Sequence, residues 1–88
     1  MVKRVLPVTN RLGIHARPAG MIVDITTHAK SDVQIHYGDL RANAKSILNV
    51  MMLAAEPGSE VTFVIEGEDE ERVADELQKL FENRFNED

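Results

Sequence analysis

An α+β fold, a four-stranded antiparallel sheet with three helices packed on one face, is the architecture this sequence predicts, and three observations predict it. Alternating apolar and polar residues mark four short stretches, at residues 3–8, 33–37, 40–42 and 61–65. Apolar residues at helical spacing mark stretches near residues 16–28, 47–54 and 68–85. The two kinds of stretch follow one another in the order β-α-β-β-α-β-α, with turn residues between them and no internal repeat or linker. At 88 residues the chain is read as a single domain over 1–88. A domain of this size removes only about 60% of its unfolded surface from water, so its core must be thin.

Lys3 to Val8 reads as the first strand, and Pro7, which cannot donate a ladder hydrogen bond, confines it to the sheet edge. Turn residues from Asn10 to Gly13 separate it from a helix running from about Ala16 to His28. Pro18 fits the first turn of that helix, and Ala19, Ile22, Val23 and Thr26 keep one face. Val33, Ile35 and Tyr37 alternate with Gln34 and His36, and Gly38-Asp39 turns the chain into Leu40-Arg41-Ala42, a hairpin. Ser46 suits the N-cap of a short apolar helix that Pro57-Gly58 closes off. Val61, Phe63 and Ile65 form the fourth strand. In the last helix Glu68 to Glu71 put acids where a helix N-terminus favours them, Val73, Leu77, Leu80, Phe81 and Phe85 make one apolar stripe, and Asp75 and Lys79 stand at i,i+4 for an ion pair.

Composition removes several classes of function. The apolar fraction of 43% and charged fraction of 28% are those of an ordinary globular domain. Cysteine is absent, which excludes disulfide frameworks, thiolate zinc sites and CxxC redox chemistry. The longest apolar run, Val50 to Ala55, falls far short of the roughly 18 residues of a membrane span, and no signal-peptide stretch follows Lys3-Arg4, so the protein is read as cytoplasmic without membrane insertion. The net charge of −5 is uneven: residues 1–45 hold seven Lys/Arg against three acids, and residues 46–88 hold three against twelve. A basic half can attract a phosphate or an acidic partner, whereas an acidic chain with one tyrosine and no tryptophan is a poor nucleic-acid binder. No P-loop, dinucleotide fingerprint or nucleophile elbow is present, and His28 and His36 show no metal-ligand spacing with each other or with His15, so neither a metal nor a cofactor is expected.

The informative segment is Gly13-Ile14-His15-Ala16-Arg17-Pro18-Ala19, which sets a histidine immediately before a helix. Unpaired amides at a helix start, the helix dipole and the Arg17 guanidinium can hold phosphate oxygens beside an imidazole able to act as nucleophile. The same features fit a solvated loop histidine before an ordinary helix, and the residues by themselves leave both readings open. Ser46 is first of all a cap. The helix after it, Ile47-Leu48-Asn49-Val50-Met51-Met52-Leu53-Ala54, is apolar on nearly every side although a thin domain covers only one of them. Val50 and Leu53 are the core candidates; Ile47, Leu48 and Met51 are candidates for an exposed patch, the alternative being that all are core.

These two segments, GIHARPA and, about 25 residues later, NAKSILNVMML, resemble the two signature segments of the HPr family. HPr proteins are the histidine-containing phosphocarriers of the bacterial phosphoenolpyruvate-dependent phosphotransferase system, and the resemblance covers the whole chain. It implies the open-faced β-sandwich fold of that family. It also implies a phosphoryl group received on His15 from enzyme I and passed to the A domains of sugar-specific or regulatory enzymes II, with Arg17 as the active-centre arginine. Such a protein is no enzyme but a covalent carrier, monomeric and without a cofactor. Met21, Ile47, Leu48 and Met51 match the partner-binding patch. Ser46 matches a regulatory serine phosphorylated by an HPr kinase/phosphorylase in bacteria that possess one, with a transcriptional regulator as a further partner. Asn49 and Ala54 stand where the family often has glycine, Gly20 brings a poor helix former into the first helix, and Asp24 and Thr27 lie where sugar-transport members often carry lysine. The docking face is thus less basic than in those members. The Ala44-Lys45-Ser46 segment with Met51-Met52-Leu53-Ala54-Ala55 after it, and the acidic tail ending Phe85-Asn86-Glu87-Asp88, look more like members from bacteria with incomplete, regulatory phosphotransferase systems. The competing reading is therefore a regulatory adaptor controlled at Ser46; a third, a nucleic-acid-binding module, is disfavoured by the acidic balance.

Overall fold

Strands β1 (Val2–Pro7), β2 (Asp32–Tyr37), β3 (Leu40–Asn43) and β4 (Glu60–Glu66) of the computed structural model, which describes residues 1–86, form one sheet in the order β1-β4-β2-β3. Every neighbouring pair is antiparallel. β1 lies at the edge, as Pro7 requires, with Pro7 opposite Glu60 at the end of the ladder. Cross-strand rows explain the alternation. Val2, Ile65 and Val33 form one row, Arg4, Phe63, Ile35 and Ala42 the next, and Leu6 with Val61 a third; Leu6, Val33, Ile35, Val61, Phe63 and Ile65 are all buried. The rows between them, Lys3-Val64-Gln34-Asn43 and Val5-Thr62-His36-Arg41, carry the polar face.

Helices α1 (Ala16–Thr27), α2 (Ile47–Met52) and α3 (Glu70–Glu82) cover the apolar face. α1 buries Pro18, Ala19, Ile22 and Thr26, which share its inner face. Thr26 adds a tie of its own, donating from Oγ1 to the Ala44 carbonyl at 2.6 Å just ahead of α2. α3 buries Val73, Ala74, Leu77 and Phe81, and Phe81 meets Phe63 edge-on with ring centroids 5.6 Å apart. Among the described residues no helix is long and apolar enough to cross a membrane.

Two expectations for the last helix are corrected. Phe85 is not part of its stripe, because α3 ends at Glu82 and Arg84–Asn86 form a turn with φ of 51°, 56° and 59°. That left-handed turn folds Phe85 back onto Phe81, centroids 4.7 Å apart, so the side chain is buried although it has left the helix. Asp75 does not pair with Lys79 among the described residues. Its Oδ1 accepts from Arg4 Nη1 at 3.3 Å, and Arg4 also donates to Gln78, so β1 is clasped to α3 across the sheet edge.

Asp69, at the N-cap of α3, does not cap that helix with its side chain. Its Oδ2 accepts from the Lys30 amide at 2.9 Å and its Oδ1 from the Ser31 amide at 3.0 Å and the Ser31 hydroxyl, while Arg72 reaches Oδ2 at 2.8 Å. Gly67 lets the two loops meet: at φ +154° its Cα lies where an added Cβ would stand 2.6 Å from Ser31 Cα. The Ser31 hydroxyl first, then the Lys30 and Ser31 amides and Arg72, hold the Asp69 carboxyl far below its ordinary range. Because the folded-state value is depressed, the stability from this tie is fully present above the unfolded carboxyl's value of about 3.9 and is lost as pH falls toward the lowered one. Asp69→Ala is expected to lower the thermal midpoint by several degrees at pH 7, with the gap to the parent protein narrowing as pH drops below about 4. Thermal unfolding followed by circular dichroism from pH 2 to 7 measures it; a gap independent of pH would assign the loss to packing.

Candidate functional site

The approach to α1 is built by backbone bonds to the segment after α2. Leaving β1, Val8 donates to the Ser59 carbonyl and accepts from Gly58, both at 2.8 Å. The chain then turns through residues 10–13. Gly13 has φ +73°, and an added Cβ there would stand 2.4 Å from the Ala55 carbonyl oxygen, so only glycine fits this crossing. Immediately after it the Ile14 amide donates to that same Ala55 carbonyl at 3.0 Å. His15 follows as the N-cap of α1, with extended backbone, its amide donating to the Gly13 carbonyl at 3.1 Å and its carbonyl accepting from Ala19 at 2.9 Å.

The imidazole of His15 is not spent on capping its own helix. It is half-buried in a shallow depression of about 270 Å³ that Leu12, Met51, Ala54, Ala55, Glu56 and Pro57 also line. Ala19 makes the first intrahelical bond and Pro18 has no N–H, so the amides of Ala16 and Arg17 lack intrahelical acceptors at the positive end of α1. No acidic residue stands in the first turn to oppose that field. The Arg17 guanidinium is exposed and has no hydrogen bond or ion pair with the other described residues, so it can turn toward an anion at His15.

Ser46 caps α2, its Oγ accepting from the Asn49 amide at 3.3 Å and its carbonyl from Val50 at 3.0 Å. Val50 and Leu53 are buried, as expected, while Ile47 is 44%, Leu48 65% and Met51 39% exposed, which rules out a wholly buried helix. Met21 is half-buried against the core from α1. α1 and α2 pack together, and Gly20 faces Ile47, whose Cδ1 would lie 3.6 Å from an added Cβ, an ordinary contact. The fold therefore brings Met51 beside His15 and puts Ser46 at the other end of α2, one helix length of about 9 Å away.

His28 and His36 stay apart from this site. His28 Nδ1 is 2.6 Å from the Asp24 carbonyl oxygen, and His36 Nε2 is 3.1 Å from Gln34 Oε1 on the polar face of the sheet. Desolvation, with Arg41 and Lys3 nearby, pushes the His36 imidazole below its ordinary value. Leu12, 66% exposed, lines the His15 depression and was missed by sequence reasoning, whereas Met52, 71% exposed, lies beside Leu40 and Asn43 of β3. A leucine inside a turn, between Arg11 and Gly13, was the available signal for Leu12.

The sequence matches the family model described as PTS HPr component phosphorylation site over residues 2–83. It is 42% identical over 88 residues to "Phosphocarrier protein HPr" of Treponema pallidum (strain Nichols), covering all of both chains. It is 43% identical to "Phosphocarrier protein HPr" of Xylella fastidiosa (strain Temecula1 / ATCC 700964), covering all of this chain and 99% of that one. Among solved structures, HPr-C-His from Thermoanaerobacter tengcongensis superposes with a TM-score of 0.95 at 33% identity over 100% of this chain and 99% of that one. A phosphocarrier protein HPr from Bacillus anthracis str. Ames gives 0.85 at 32% identity, over 91% and 95%.

Ala54, which follows α2 beside His15, has φ 52°, a left-handed conformation that costs a residue with a Cβ about 1 to 2 kcal/mol. Glycine removes that strain but frees the unfolded chain, an offset of about 0.5 to 1 kcal/mol. Ala54→Gly is accordingly expected to stabilise the fold by about 0.5 to 1 kcal/mol, read as a rise in the denaturant midpoint with unchanged slope. A fall in the midpoint would show that the side chain's own contacts outweigh the strain.

Proposed function

The chain belongs to the HPr family, the phosphocarriers of the phosphotransferase system, and on that premise we propose that His15 accepts a phosphoryl group from phosphorylated enzyme I and passes it to the A domain of a sugar-specific or regulatory enzyme II. The observation that carries this reading is the place of His15: N-cap of α1, backbone held by Gly13 and Ala19, imidazole at the apolar depression beside Met51. An imidazole nitrogen uses its lone pair to attack the phosphorus held by the donor histidine. One N–P bond forms as the other breaks, and the donor ring keeps the electron pair. The amides of Ala16 and Arg17 and the Arg17 guanidinium take up phosphoryl oxygens. Helix-end stabilisation of about 0.3 to 1 kcal/mol is well scaled to a carrier, since a much tighter grip would oppose onward transfer. The protein is thus a covalent substrate at each step rather than an enzyme, acting as a cytoplasmic monomer.

Docking falls to Ile47, Leu48 and Met51, with Met21 at their margin and Leu12 at the edge of the His15 depression. This surface, apolar and partly methionine, suits more than one partner. Ser46 is proposed as the regulatory site, phosphorylated from ATP by an HPr kinase/phosphorylase. A phosphate on a cap serine suits the dipole of α2 but must lose water when the neighbouring apolar residues dock. A regulatory adaptor, binding a transcriptional regulator under the control of Ser46, would use this same surface.

Incubation with phosphoenolpyruvate and enzyme I should add one acid-labile phosphoryl group, read by intact mass, and His15→Ala should abolish it. A label that persists in that variant, or that maps to His28 or His36, removes the assignment. Arg17→Ala should slow transfer about ten- to a hundredfold and leave the thermal midpoint unchanged, because the side chain supports no packing.

Ser46→Asp should raise the KM for this protein in the enzyme I reaction about tenfold, equivalent to about 1.4 kcal/mol of added desolvation, without unfolding the domain. Met51→Asp should give the same kinetic defect at little cost in thermal stability, as its exposure allows. A large fall in the midpoint for Met51→Asp would place that side chain in the core and end its part in docking.

A further inference from the structure

Asn10 is fully buried, one of three polar residues so placed among the described ones, and it lies five residues ahead of the histidine. A buried carboxamide is costly unless it is hydrogen-bonded, and its Nδ2 donates to the Gly13 carbonyl at 2.7 Å. The turn's own backbone bond, from the Gly13 amide to the Asn10 carbonyl, is 3.4 Å long, outside the usual range of about 2.7 to 3.2 Å. The side chain therefore closes the turn more firmly than the backbone does.

The carbonyl it holds belongs to the Gly13–Ile14 peptide unit, which is fixed on both edges. On the oxygen edge Asn10 Nδ2 and the His15 amide converge, at 2.7 and 3.1 Å; on the nitrogen edge the Ile14 amide meets the Ala55 carbonyl at 3.0 Å. The His15 bond spans only two residues and moves with the peptide unit it would have to restrain. Asn10 is the anchor on that edge from outside the unit. We infer that Asn10 is a positioning residue for phosphoryl transfer, fixing the Gly13–Ile14 peptide plane and thereby where the His15 imidazole stands at the start of α1. The inference rests on the carrier reading, and it adds a residue that neither the nucleophile nor the oxygen-holding groups include.

Asn10→Ala removes the donor, and Asn10→Asp keeps the volume while setting an acceptor against the carbonyl. In the enzyme I reaction either variant is expected to lose about tenfold or more in kcat with KM changed less than about twofold, since misplacement by about 1 Å slows chemistry more than docking. The amide resonances of Gly13 and His15 should shift in parallel. Undiminished kcat per folded molecule overturns the inference, and so does a loss confined to KM. Whichever variant folds decides. If neither does, hydrogen exchange of the Asn10 side-chain amide in the parent protein decides instead: slow exchange supports the anchor, and exchange at the rate of an exposed asparagine overturns it. A parent protein that takes up no acid-labile phosphoryl group removes the carrier reading itself, whereas transfer in the parent with full kcat in both variants removes only the role of Asn10.

Discussion

Where the chain crosses itself at Gly13, there is no room for a Cβ, and the carbonyl oxygen of Ala55 occupies the space one would need. That steric fact sets the geometry around it. With glycine in a left-handed conformation the next amide points at Ala55, the following residue becomes the N-cap of α1, and the end of α2 is drawn up against the same loop. Two segments some forty residues apart in sequence are thereby locked into one surface. His15 and Met51 are neighbours because of it, and neither belongs to an element whose own propensity would bring them together.

The second constraint is scarcity of cover. One sheet face and three helices make a domain in which α2, apolar on nearly all sides, buries only Val50 within its six residues, with Leu53 following at its cap. Ile47, Leu48, Met51 and Met52 stay wet, Met51 of them at the rim of the His15 depression. A thin core and an adhesive surface are thus one fact described twice: the fold cannot hide those side chains, and the proposed chemistry needs a partner to cover them.

What the sequence made legible was whatever is local. Pro7 marks an edge strand by its missing donor, Gly38-Asp39 marks a hairpin, Ser46 marks a cap, and the spacing of Ala19, Ile22 and Thr26 marks an inner helix face; each depends on residues within a few positions. The predicted fold class and the order of elements were accordingly read correctly. The corrections all involve partners distant along the chain or reversals of helical hand. Asp75 had a suitable lysine four residues on and is held by Arg4, 71 positions away. Phe85 continues an apolar period that the backbone abandons three residues earlier. Of the site, His15, Arg17 and the cap at Ser46 were visible as residue types in suggestive places. The burial of Asn10, the reach of Asp69 to Lys30 and Ser31, and the exposure of Leu12 depend on how loops cross, which no periodicity encodes.

The sheet order also carries a consequence for how the molecule is made. β4 separates β1 from β2, and its residues 60–65 pair with residues 2–7, between 53 and 63 positions away. During synthesis β1 therefore has no ladder to join until β4 has left the ribosome, and the loop bearing His15 lacks its Ala55 acceptor until shortly before that. Helix α1 and the β2–β3 hairpin can form early, being local, but the loop that carries His15 is set in place late. A nascent chain would therefore display His15 before its loop is held, so the carrier role proposed for it waits on synthesis of the segment from Ala55 through β4.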